Sequence, residues 1–253
     1  MPTEPLAAIL FDLGGTLLHY QEGKEQTFRA VTVRGLARAQ AALVEAGFAL
    51  PPAEEFGQIV DRHIGEAYLS SMAELRGGTI ETPIRQALAE MDVVPTARRW
   101  AEVRASFYSA VDEVVKPRLG LHETLTALHE QGFKMALISN TYWAADLHDR
   151  HLSEHGLLDF IPQRTYSCDT PRTKPHPSIF RDALANLGVE AGQAAYVGDR
   201  LGVDVAGAQA VGMRGVLILS PYIEPGAEEK QNVTPDATIE ELPGLLDKVA
   251  RWR

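Results

Sequence analysis

The sequence predicts an α/β fold: a parallel sheet with helices on both faces, interrupted after its first strand by a long helical insertion. Three observations carry this. Short apolar runs of strand length recur at residues 7–11, 133–138, 194–198 and 215–219. The segments between the later runs have helical spacing. From residue 21 to 115, by contrast, helical patterns follow one another with no strand between them.

The first run ends at Asp12 and turns on Gly14-Gly15-Thr16. A buried strand that delivers a carboxylate to its carboxyl end places it at the rim of the sheet, where open α/β folds assemble their chemistry. The glycines allow a tight turn and close approach to a ligand. In the insertion, Phe28, Val31, Leu36, Leu43 and Val44 recur at helical spacing and stop before Gly47. After Pro51-Pro52 a second helix carries Phe56, Val60, Ile64, Tyr68 and Met72 and ends at Gly77-Gly78. A third starts near Pro83. A fourth, after Pro95-Thr96, sets Trp100, Val103, Phe107, Val111 and Val114 in one apolar stripe. These positions read as the core of a small helical bundle, not as a cofactor box.

At residues 116–120 the text changes to alternating helix and strand. A helix through Leu121, Leu125 and Leu128 precedes the run that ends at Ser139-Asn140. A helix over about 144–155 and a short strand near 164–167 come next. Beyond Lys174-Pro175-His176-Pro177 a helix runs through Ile179, Phe180 and Leu184 to Gly188. The next strand ends at Gly198-Asp199, and a helix through Val205 and Ala208 leads to the strand at 215–219. Residues 222–235 read as a surface loop, and a last helix spans about 243–250. There is no internal repeat and no low-complexity segment.

The composition, 45% hydrophobic and 23% charged, suits one large domain or two modest ones. A net charge of −10 with no basic run argues against nucleic-acid or anionic-membrane partners. The single cysteine, Cys168, excludes an intrachain disulfide framework and suits a reducing compartment. The first residues lack the basic and apolar regions of a signal peptide, and no apolar run reaches spanning length. A soluble, cytoplasmic protein is expected.

Four strand ends carry polar residues: Asp12, Ser139-Asn140, Lys174 just beyond its strand, and Asp199 with Asp204. In a parallel sheet these ends share one edge. Carboxylates, a hydroxyl and an ammonium converging there point to a divalent metal and a phosphoryl group. Mg²⁺ prefers hard oxygen ligands, which Asp12, Asp199 and a carbonyl in the Gly14 turn would supply. Ser139 and N–H groups of the turn near Gly15 would hold phosphate oxygens, and Lys174 would neutralise charge on nucleophile and phosphate. Taken singly, each piece has a plainer meaning. Asp199 and Asp204 suit a helix start, Ser139-Asn140 suits a turn, and Lys174 suits a loop.

Together the four segments resemble the motifs of the haloacid dehalogenase superfamily, and of its capped phosphatase-like members in particular. Phe11-Asp12-Leu13-Gly14-Gly15-Thr16-Leu17 is similar to the first motif and Ile138-Ser139-Asn140 to the second. Lys174-Pro175-His176-Pro177 is similar to the third, and Val197-Gly198-Asp199 with Asp204 to the fourth. The resemblance implies a Rossmann-like core formed by residues 1–20 and 116–253, with residues 21–115 as a helical cap. It implies Asp12 as the nucleophile of an aspartyl-phosphate. Ser139 and Lys174 would bind the phosphoryl group, with Gly15 and Asn140 beside them. Asp12, Gly14 and Asp199 would hold Mg²⁺, and Asp204 would support the metal shell or Lys174. The substrate would be a small phosphorylated metabolite. Separately from the resemblance, exposed surface on the inserted helices is a candidate homodimer contact, and the sequence leaves the oligomeric state open.

One position departs from the family pattern. Its phosphatases carry a second Asp two residues after the nucleophile, as acid and base; here that residue is Gly14. General acid–base catalysis is worth about 10²–10⁴-fold. Three outcomes are open: substrates with good leaving groups, replacement of the acid by His19 or Tyr20 on a flap over the site, or a phosphate-binding protein with little turnover. A metal-independent dehalogenase-type hydrolase is a further alternative, opposed by the metal-type Gly198-Asp199. His148, His151 and His155 share a helix face and read as a solvated helix. Cys168 reads as a small half-buried residue.

Overall fold

The computed structural model of the protein describes residues 5–20, 28–222 and 232–252. The first residues of the insertion (21–27) and most of the loop expected at 222–235 lie outside them. The chain begins with β1 (Ala8–Phe11) and β2 (Leu18–His19). The helices α1 (Phe28–Glu45), α2 (Ala53–Glu74), α3 (Glu81–Glu90) and α4 (Ala97–Asp112) come next. After β3 (Lys116–Pro117) come α5 (Leu121–Glu130), β4 (Lys134–Ser139), α6 (Ala145–Glu154) and β5 (Gln163–Tyr166). Then α7 (Pro177–Leu187) leads to β6 (Ala194–Gly198), a π-helical turn at Leu201–Val205 and α8 (Ala206–Gln209). The strands β7 (Arg214–Ile218) and β8 (Ala237–Ile239) and the helix α9 (Gly244–Ala250) close the chain.

Six strands form one sheet in the order β5-β4-β1-β6-β7-β8, every neighbouring pair parallel. β1 is central and wholly buried, which is why its sequence is a continuous apolar run rather than an alternating one. Phe11 stands opposite Leu137 on β4 and Val197 on β6. That register brings Asp12, Ser139 and Asp199 to one edge. The order runs one way from β1 through β4 to β5 and the other way from β6, so β1 and β6 flank the switch point where such sheets bind ligands.

Two apolar layers cover the sheet. One joins Leu125, Leu128, Leu242 and Leu245 to Ile9, Phe11 and Val197; the other packs Phe180 and Leu184 on Leu10, Ile138 and Tyr196. Each fully buried leucine contributes about 1.5–3 kcal/mol. The inserted helices have a third cluster of their own, including Val31, Leu43, Phe56, Trp100 and Phe107, which extends to Trp143 and Leu147 beside and on α6. α1 and α4 approach closely because Gly35 has no Cβ; one would fall 2.8 Å from Phe107 Cδ2. Thr96 caps α4, its hydroxyl accepting the Arg99 N–H.

Three features were not expected. β2 and β3 pair antiparallel, so the two passages between core and insertion run side by side as a ribbon. The short β8 extends the sheet beyond β7. The helix expected after Asp199 opens as a π-turn before α8. A correction also concerns α6: His148 and His151 are 2% and 0% exposed, not solvated. α4 lies over this helix, so that Asp112 meets His151 Nε2 at 2.8 Å and Tyr108 Oη accepts the Ala144 N–H at 3.1 Å. A polar helix sequence does not distinguish water from a polar neighbour. His155, at the helix end, is half-buried.

Candidate active site

The site is built around a buried ammonium. Lys174 Nζ donates to Asp12 Oδ1 at 2.7 Å, Asp204 Oδ1 at 2.7 Å and Tyr196 Oη at 2.8 Å. All three of its protons are therefore engaged. The Tyr196 hydroxyl in turn donates to the Ile138 carbonyl at 2.6 Å. Asn140 clasps the backbone of Lys174: its Oδ1 accepts the Lys174 N–H and its Nδ2 donates to the Lys174 carbonyl, both at 2.8 Å. Asn140 thus holds Lys174 in place from the end of β4. Ser139, also at that end, is buried beside β1.

Asp12 extends the β1 ladder by one bond, its N–H donating to Val197 O at 2.8 Å. The turn behind it closes on itself: the Gly15 N–H donates to Leu18 O at 2.8 Å. Gly15 has a φ of +81°, and a Cβ there would fall 2.1 Å from Asp199 Oδ2. Only glycine fits between the turn and that carboxylate. Gly14 differs: its φ is not left-handed, and a Cβ would meet only Tyr20 Cδ2, at 3.7 Å. Asp204 sits in the π-turn, with Oδ2 accepting the Arg200 N–H at 3.0 Å.

One carboxylate oxygen from each of Asp12, Asp199 and Asp204 lies within 4.8 Å of the others. Burial pushes the Asp12 carboxyl up to about 6 against the pull of Lys174, and the charge of Asp204 adds to the rise. Burial, then repulsion from Asp12 and Asp204, pushes Asp199 up to about 8. Burial alone would lower Lys174; its contacts with Asp12 and Asp204 outweigh that and raise it. Three carboxylates therefore crowd one ammonium, which bonds Asp12 and Asp204; its pull on Asp199 is outweighed by burial and by the charges of those two. A divalent cation with a preference for hard oxygen would relieve this crowding, so the donor set fits Mg²⁺.

His19 and Tyr20 do not hang on a free flap. The Tyr20 hydroxyl pairs with His148 Nδ1 at 2.9 Å, and His148 Nε2 with Thr141 Oγ1 at 2.7 Å. Burial, and then the charge of Asp12, raises the Tyr20 phenol well above its ordinary value. His19 packs edge-on against Tyr222, and burial, then Arg118, lowers its pKa. Cys168 is half-buried, and burial, then the charge of Asp169, pushes its thiol up to about 12, away from the thiolate. Tyr196 is the residue that sequence reasoning missed. The signal was present: it is the one large side chain in a strand of small residues and valine, and a buried phenol needs a partner.

Residues 6–212 match the model of a family described as haloacid dehalogenase-like hydrolase. The chain is 30% identical over 249 residues to a phosphoglycolate phosphatase of Pectobacterium atrosepticum, covering 95% of this chain and 91% of the relative. It is 30% identical over 257 residues to a ribulose-1,5-bisphosphate 5-phosphatase of Halopiger xanaduensis, covering 96% and 99%. A glyceraldehyde 3-phosphate phosphatase of Methanopyrus kandleri is 27% identical over 246 residues, covering 96% and 97%. Among solved structures, a 2-haloacid dehalogenase of Pseudomonas syringae has the same fold, with a TM-score of 0.69 at 24% identity over 98% of this chain and 100% of that one. The polar strand ends, the switch-point sheet and these matches agree: the chain belongs to the haloacid dehalogenase-like hydrolase family and is a hydrolase.

Proposed function

We propose that the protein is a Mg²⁺-dependent phosphatase-like hydrolase of a small phosphorylated metabolite, acting through an aspartyl-phosphate on Asp12. The observation that carries this reading is the Asp12–Lys174–Asp204 chain at the switch point, with a carboxylate oxygen of Asp199 within 4.8 Å of those of Asp12 and Asp204. The Lys174 ammonium holds Asp12 in one rotamer and keeps its carboxylate ionised for attack on phosphorus. The new bond joins an Asp12 oxygen to phosphorus as the ester P–O bond breaks. Mg²⁺, held by Asp12, Asp199 and the Gly14 carbonyl, would offset charge on the phosphoryl oxygens. Ser139 and the turn at Gly15 border the place where those oxygens would lie. Asp204 and Asn140 act through Lys174, one on its ammonium and one on its backbone.

In this reading the helices of residues 21–115 form a cap over the strand ends and select the substrate. The Ile80 N–H donates to Tyr142 O at 2.6 Å and the Thr173 N–H to Leu75 O at 2.9 Å, which seats the insertion beside the loops after β4 and β5. The relatives' names, all phosphatases of small phosphorylated compounds, support that substrate class. Among the described residues no helix is long and apolar enough to cross a membrane. We place the protein in the cytoplasm, where such metabolites occur.

With Gly14 in place of a carboxylate, aryl and acyl phosphates should be the better substrates, because their leaving groups need no proton. The test is phosphate release from aryl, acyl and sugar phosphates, with Mg²⁺ and with chelator. Metal-dependent release from wild type and none from Asp12→Asn is the expected result. Full activity of Asp12→Asn sinks the aspartyl-phosphate. Absence of release from every ester, with phosphate still bound, favours a ligand-binding protein whose catalysis Gly14 has weakened. Halide release from a 2-haloacid offered in chelator would instead favour the metal-independent alternative.

A further inference from the structure

Arg118 stands directly after β3, where the chain returns from the inserted helices to the core. It is 3% exposed. Its backbone N–H donates to Leu17 O at 2.9 Å. Its guanidinium reaches three segments that are far apart in sequence. One terminal nitrogen donates to Gly15 O at 2.6 Å. The other donates to Leu219 O at 2.5 Å and to Glu240 O at 2.7 Å. Nε donates to Glu241 Oε2 at 3.1 Å. One buried fork thus ties the turn after β1 to the ends of β7 and β8.

Burying a guanidinium costs several kcal/mol in desolvation, and apolar packing of equal volume often serves stability as well. Glu241, its charged partner, is 48% exposed in its side chain, so the pair returns little of that cost. What the planar fork adds is geometry: carbonyls of three separate segments held by one rigid group, which an ammonium does not reproduce. The first carbonyl it grips belongs to Gly15, three positions after Asp12, where an added Cβ would fall 2.1 Å from Asp199 Oδ2. The turn contains two glycines and bonds mainly to itself, through Gly15 N–H to Leu18 O and Leu17 and Leu18 N–H to Leu13 O. Such a turn is soft unless held from outside.

We propose that Arg118 is a positioning residue: it holds the Gly15 carbonyl against the rigid ends of β7 and β8, and so sets the aim of Asp12 and the gap between Gly15 and Asp199. Its kinetic consequence rests on the phosphatase reading; its structural consequence does not. The experiment uses Arg118→Lys and Arg118→Gln in the full chain, with two measurements. Hydrogen exchange of the peptide containing residues 12–18 should rise about tenfold or more, while the peptide containing β4 stays as in wild type. With p-nitrophenyl phosphate and Mg²⁺, kcat should fall about 10²-fold, as for a small misplacement of a reacting group. KM should stay within about threefold. Unchanged exchange in the turn overturns the assignment, as does an equal rise in β4. If neither variant folds, Arg118 is a structural residue only and the assignment also fails. A local rise in exchange, in a protein whose wild type releases no phosphate, would refute the phosphatase reading and leave Arg118 as assigned.

Discussion

At the scale of single residues, the contrast between Gly14 and Gly15 is decisive. Gly15 cannot be replaced, because its Cβ would overlap Asp199 and its φ is left-handed. Gly14 meets neither obstacle: a Cβ there makes only an ordinary contact with Tyr20, and no left-handed φ opposes a side chain. Gly14→Asp is expected to fold and to raise kcat on a sugar phosphate by about 10²-fold, with a smaller gain on p-nitrophenyl phosphate. Parallel phosphate-release assays read the difference. Equal rates on both esters before and after the change would mean that another group already supplies the proton. His148 offers a second test. Burial, with His151 as a neighbour, lowers it to about 3, so it is neutral between Tyr20 and Thr141. Its folded value lies below the ordinary 6.5, so the unfolded chain binds more protons in that interval. Stability is therefore full above the unfolded value and is lost as pH falls towards the folded one, by at most about 1.4 kcal/mol per pH unit. Urea midpoints from about pH 7 down to 4 should fall less steeply for His148→Gln than for wild type.

At the scale of elements, the proposed site depends on the segment that leaves each strand. β1 runs into a turn that closes on itself, β4 into the Asn140 clasp, and β6 into a π-turn that brings Asp204 back under Lys174. The close packing is visible at Gly198, where a Cβ would lie 2.4 Å from Asp204 Cβ. The seam between insertion and core is equally tight at one point. A Cβ on Gly77, after α2, would fall 1.5 Å from Ser167 O, whereas Gly78 has open space. Gly77→Ala should therefore unseat this loop and destabilise the protein by about 1–3 kcal/mol, with Gly78→Ala nearly neutral. Urea unfolding of the two variants checks this, and faster hydrogen exchange in the loop after α2 should accompany the loss. Similar stability in both would mean that the loop is not held by this contact.

At the scale of the whole molecule, two of the apolar clusters stabilise the sheet and the third stabilises the insertion, and polar contacts join them along α4 and α6. Arg104 spans this seam by pairing with both Glu81 and Asp146. The concentrated negative charge at the switch point works against the folded state unless a cation offsets it. Saturating Mg²⁺, at about 100 times its dissociation constant, is expected to add about 2.7 kcal/mol of stability. Thermal melts with Mg²⁺ and with chelator measure this without reference to any substrate. Asp199→Asn should lose most of the gain, and an equal gain in that variant would place the cation elsewhere.

The sheet and its chemical edge were legible in the sequence. A central parallel strand must be apolar on both faces, so β1, β4, β6 and β7 show as continuous runs, and a polar residue at the end of β1, β4 and β6 marks the rim. The helices of the insertion were legible for the matching reason, because an amphipathic helix writes its buried stripe every three to four residues. What periodicity cannot carry is the identity of a distant partner. Arg118 under the Gly15 turn, Tyr196 under Lys174, and His148 between Tyr20 and Thr141 are polar groups satisfied by residues up to 128 positions away. In sequence Arg118 looks like a loop residue and His148 like a solvated helix residue, and even Tyr196, plainly in a buried strand, does not name its partner. The same limit hid β2, β3 and β8, which are two or three residues long and exist as strands only through their neighbours. Composition and local pattern decided which polar residues reach one edge of the sheet. Only tertiary structure decided how they are held there, because burial of a polar group becomes tolerable only when the fold brings its partner to it.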